Sequence, residues 1–116
     1  MEDQFLKLPF LLKDIAYEFC RLSATVGVDP VVTRVADPVD GESGVHPAYR
    51  AIDFRDERGS VRLYKPQDVM MINTELNKLY QRTDGYKVCL HHGFAGGPEH
   101  FHLQVSWSEK NHVRRA

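Results

Sequence analysis

Apolar side chains recur at Leu8, Leu11, Leu12, Ile15, Phe19 and Leu22, mostly at intervals of three and four, and predict an amphipathic helix over residues 8–24. Pro9 suits its first turn, where a missing N–H costs nothing, and Gly27 is a stop signal. The β-branched run Val31 to Val35 predicts a strand, and the Asp-, Pro-, Gly- and Ser-rich stretch from Ala36 to Pro47 a long loop. Ala51 to Phe54 reads as a short strand, Asp56 to Ser60 as a turn, and Val61 to Tyr64 as a strand or extended connection. Pro66 opens a second helix with Val69, Ile72, Leu76 and Leu79 in one stripe, and Asp84-Gly85 marks its end. Tyr86 to His91 and His100 to Trp107 follow as a strand pair joined by the glycine-rich Gly93 to Glu99. Ser108 to Ala116 reads as a loose polar tail. This order predicts an α+β fold, a small antiparallel sheet with helices on one face, as a single domain over residues 1–116.

Alternation in the last strand puts His100, His102, Gln104 and Ser106 on one face and Phe101, Leu103, Val105 and Trp107 on the other. The second set is a core face. The first carries two imidazoles side by side, which can supply two ligands to one metal, or one ligand and one supporting group. Asp53, between Ile52 and Phe54, is expected on the same kind of open sheet face, where a carboxylate needs a partner. An ion pair with Arg50 or Arg55 would serve; so would a metal. With His46, six residues before Asp53 is reached when both ends are excluded, the chain offers two histidines and one carboxylate, a set that leaves zinc one open position. Water on such an ion has a pKa of about 7. Glu99 is the candidate general base, and Arg34, at the end of the first strand, the candidate oxyanion clamp.

Composition narrows the reading. Fifteen Lys plus Arg against sixteen Asp plus Glu give a net charge of −1 over 116 residues, which argues against nucleic acid as a partner. The acidic start, with an apolar run broken by Lys7, Pro9 and Lys13, does not read as a signal peptide, and no run approaches a membrane span. The expectation is synthesis in the cytoplasm. The two cysteines, Cys20 and Cys89, lack metal-site spacing and read as small buried hydrophobes.

The residues from Val31 to Val105 resemble the zinc DD-peptidases of the hedgehog/DD-peptidase fold, in particular small phage and prophage members. VVTRV, SGVHPAYRAIDFR and HHGFAGGPEHFHLQV carry the likeness, over about two-thirds of the chain. The family's first motif, S-x-H-x-x-G-x-A-x-D, finds Gly44, His46, Tyr49, Ala51 and Asp53, so that the serine is displaced to Ser43 and the inner glycine is a tyrosine. Its second places an acid three residues before the last ligand, as Glu99 stands before His102. The resemblance implies one zinc held by His46, Asp53 and His102, with Glu99 as base and Arg34 polarising the substrate. In a regular strand Glu99 faces away from His102, and His100 then becomes the alternative base. Of His91 and His92, only one can face the site. The implied function is hydrolysis of a peptidoglycan stem-peptide bond, as carboxypeptidase or endopeptidase, in an endolysin acting on the cell wall after release or in a virion component. A non-catalytic zinc-containing module of the same fold is the alternative, and an unrelated α+β domain the plainest reading.

Overall fold

The computed structural model describes residues 10–35, 51–58, 61–82, 87–92, 99–105 and 112–114. Two helices and eight strands lie within them: α1 (Phe10–Thr25), β1 (Val32–Arg34), β2 (Ala51–Arg55), β3 (Glu57–Arg58), β4 (Val61–Arg62), α2 (Pro66–Leu79), β5 (Tyr80–Arg82), β6 (Cys89–His92), β7 (His100–Gln104) and β8 (His112–Arg114). The fold is α+β. Its main sheet has four antiparallel strands in the order β1-β2-β7-β6.

Alternation sorts the sheet into two faces. Ile52, Phe54, Phe101 and Leu103 join Leu12, Ile15, Phe19, Ile72 and Leu76 from the helices in one buried cluster. Phe19 is its hub, stacked on Phe54 at 4.4 Å and edge-on to Phe101 at 4.9 Å between ring centroids. Such aromatic pairs add stabilisation beyond their buried area. The helical stripes that the sequence predicts are therefore the surfaces that cover this face. α1 closes where Gly27 takes a φ of 78°, a left-handed conformation that favours glycine, and the Val28 amide donates back to the Ser23 carbonyl at 3.0 Å.

Three expectations change. α2 ends at Leu79, ahead of Asp84-Gly85, because Tyr80 turns extended: its ring is buried and its hydroxyl donates to Asp14 of α1 at 2.9 Å. The chain continues as β5, and the tail expected to be loose supplies its partner, with Tyr80 opposite Arg114 and Arg82 opposite His112. The region after Phe54 is also more ordered than a simple turn. β3 and β4 form a two-stranded ribbon, with Glu57 opposite Arg62. The predicted loop from Ala36 to Pro47 and the Gly93 to Pro98 part of the strand connection lie outside the described residues.

Candidate metal centre

β2 and β7 are the two inner strands of the sheet, and their register sets Asp53 directly opposite His102 and Arg55 opposite His100. Asp53, His100 and His102 thus share the face turned away from the aromatic core. The expectation of an open face is corrected here. Asp53 is 3% exposed, His100 8% and His102 9%. A residue on an inner strand is flanked by rows of side chains from both neighbours, and here those rows enclose the carboxylate.

The geometry is close. His102 Nδ1 lies 2.8 Å from Asp53 Oδ1, and His100 Nε2 lies 3.6 Å from Asp53 Oδ2. One donor atom from each of the three residues falls within 4.8 Å of the others. One carboxylate and two imidazoles, buried and converging, are a donor set suited to a divalent transition metal such as zinc. The residues present fit a metal ion. His102 Nε2 lies 3.2 Å from Gln104 Oε1, and the Gln104 amide nitrogen donates to the Lys87 carbonyl at 3.0 Å.

Asp53 and His102 come together as the sequence predicts. Arg34 is also close in the fold, since β1 pairs with β2 so that Arg34 is the register partner of Asp53. His46, the third expected ligand, lies outside the described residues, as do Ser43, Gly44 and Tyr49. His100, expected as a supporting group or base, stands among the donors.

Glu99 sits elsewhere. Its carboxylate meets the Arg62 guanidinium at 2.6 Å and lies 3.8 Å from His91 Nδ1. Its own backbone amide donates to Glu57 at 2.9 Å. These contacts belong to a second cluster, centred on Asp56, that the sequence reading did not find. Asp56 has no exposed surface; its carboxylate accepts from Arg62 at 2.7 Å and from the Tyr64 amide at 3.0 Å, and lies 2.6 Å from His91 Nε2. The hydrogen bond to Asp56, with Glu99 beside it, holds the Arg62 guanidinium above its ordinary range. The His91 ring stands edge-on to Phe101 at 4.9 Å, on the helix-covered side of the sheet. Alternation carries the signal: Asp56 continues the series Ile52, Phe54, and His91 follows Cys89. The backbone register sets His92 opposite His100.

Comparisons with protein-family models, with curated proteins and with solved structures find no match to this chain. No helix among the described residues is long and apolar enough to cross a membrane.

Proposed function

We propose that this protein is a zinc peptidase of the hedgehog/DD-peptidase type that hydrolyses a peptide bond in the stem peptides of peptidoglycan. The observation that carries the reading is the buried carboxylate of Asp53 set against His102 Nδ1 across the register of the two inner strands, with a second imidazole at 3.6 Å. Asp53 and His102 would hold the metal, with His46 as the third ligand that the sequence resemblance implies. His100, the third donor of the converging cluster, is then left for proton transfer. When bound, zinc supplies a Lewis acid that acidifies water and polarises a scissile carbonyl.

The chain's own groups do the rest. Arg34, beside Asp53 in the sheet, supplies the positive charge that holds the substrate carbonyl and the oxyanion developing on it. His100 shares the face of Asp53 and His102 and carries the proton at Nε2 from the attacking water to the departing amine. Glu99 has its carboxylate on Arg62 and beside His91, so the imidazole takes the role that the family motif gives to the acid. The near-neutral charge leaves substrate selection to short-range contacts with these residues rather than to long-range attraction to an anionic wall. The protein would meet its substrate after release from the cytoplasm or as part of a virion.

The same Glu99–Arg62 pair favours a second reading, a zinc-containing module of this fold that binds and does not cut. Purified protein incubated with isolated cell wall, followed by mass analysis of the muropeptides, separates the two. The peptidase releases new peptide termini, and Asp53→Ala and His102→Ala abolish both zinc retention and cleavage. Intact wall under every metal condition moves the assignment to the binding module. Cleavage by metal-free protein overturns both readings.

A further inference from the structure

We infer that Gln104 is a positioning residue that decides which nitrogen of His102 faces the metal; this rests on the zinc reading above. The Gln104 amide nitrogen donates to the Lys87 carbonyl at 3.0 Å, which turns Oε1 toward His102 Nε2 at 3.2 Å. The reverse amide orientation would set two carbonyl oxygens against each other at Lys87. Gln104 Oε1 can only accept, so His102 Nε2 carries a hydrogen. A neutral imidazole has one N–H, and its lone pair is then on Nδ1, which points at Asp53 Oδ1 from 2.8 Å. A lone pair and a carboxylate repel at that distance. Only a cation fits between them, a proton or a metal ion.

The carbonyl that orients Gln104 is itself anchored. The amides of Val88 and Cys89, the next two residues, donate to Asn77 Oδ1 at 3.0 and 3.1 Å. Asn77 Nδ2 donates to the Cys89 carbonyl at 2.9 Å and to the Asn73 carbonyl at 2.8 Å. A line of hydrogen bonds therefore runs from α2, round the start of β6, to the imidazole on the opposite face of the sheet. Metal-binding histidines characteristically donate their second N–H to an oxygen that fixes ring and tautomer, and losing that partner costs 10–100-fold in affinity. In this chain the oxygen is Gln104 Oε1.

The test is a zinc titration of the full chain and of Gln104→Leu and Gln104→Glu, with ¹⁵N-histidine NMR of the wild type before and after zinc. Gln104→Leu keeps the side chain's size and removes the acceptor. It should bind zinc about 10–100-fold more weakly with an unchanged far-UV spectrum. Gln104→Glu keeps an oxygen for the Nε2 hydrogen and should recover most of the affinity. In the wild type, zinc should shift the Nδ1 resonance of His102 while Nε2 stays protonated. Coordination through Nε2, or unchanged affinity in Gln104→Leu, overturns the role of Gln104 and leaves the peptidase reading standing. If Gln104→Leu does not fold, the wild-type resonances alone decide. A wild type that takes up no zinc ends the metal reading and this inference together.

Discussion

The sheet carries two histidine–carboxylate clusters, one on each side, and their partners differ. On the helix side Asp56 meets His91, but also a guanidinium and a backbone amide, so its charge is neutralised within the fold. On the other side Asp53 meets two imidazoles, one of which turns Nδ1 toward it and gives its far nitrogen to Gln104. Both carboxylates are buried, and burial of a charge demands a counterpart. Arg62 is a permanent one. An imidazole can release its proton and offer a lone pair, so the Asp53 cluster can accept a metal in place of a proton. Asp56, His91 and Glu99 also bring three donor atoms within 4.8 Å of one another. The Arg62 guanidinium already held by both of their carboxylates opposes a further cation there. That cluster is therefore a structural fastening, which leaves the Asp53 cluster as the candidate metal centre.

The largest contrast comes from removing the central acid of each. Asp53→Ala is expected to abolish zinc retention and wall cleavage while leaving the core intact, measured by metal content and muropeptide analysis. Asp56→Ala strips a buried pair of one member and should destabilise the fold by about 3–5 kcal/mol in denaturant titration, with zinc retained. Loss of zinc in Asp56→Ala at temperatures where it remains folded would merge the two clusters into one site.

Alternation in β7 and the lone carboxylate in β2 made half of this contrast legible in the sequence. Phe101, Leu103 and Val105 are fully enclosed as the pattern requires, and Asp53 pairs with His102. The helical stripes also find their places. What the sequence hid depends on distance along the chain. Asp56 and His91 are 35 residues apart, and nothing local says that β6 will lie beside β7 and bring the imidazole to the acid. The early end of α2 depends on a contact with Asp14, 66 residues away, and the order of the tail on its pairing with β5. Burial of the Asp53 face was missed for a similar reason, since period-two reasoning says which side a residue takes and not whether its strand is an inner one.

Alkaline titration probes the helix-side cluster next. Burial pushes the Tyr64 hydroxyl up to about 12 from 10.0, partly offset by its hydrogen bond to Ser23. The folded state favours the neutral phenol, so this contribution to stability is complete below pH 10 and declines as pH rises from 10 through about 12. Tyr64→Phe should flatten that part of the stability curve, read as the urea midpoint at each pH.

Glu99→Ala should have a smaller effect. Its partner Arg62 is 46% exposed and Glu99 41%, and exposed pairs contribute about 0–1 kcal/mol. With His100 as the base, cleavage should survive the substitution; loss of cleavage with zinc retained would return the base to Glu99. The smallest response is expected from Cys89, whose thiol is raised by burial and donates to Asn73 Oδ1 at 2.8 Å. A thiol reagent should leave it unlabelled in the native protein and label half-buried Cys20 first.

The central claim is that the Asp53–His102 side of the sheet, and not the Asp56–His91 side, takes the metal. Zinc stoichiometry of wild type, Asp53→Ala and Asp56→Ala, purified in parallel and titrated with zinc, tests it directly. The expected result is one zinc per chain in the wild type and in Asp56→Ala, and none in Asp53→Ala. Zinc bound equally by Asp53→Ala, or lost only in Asp56→Ala, would contradict it.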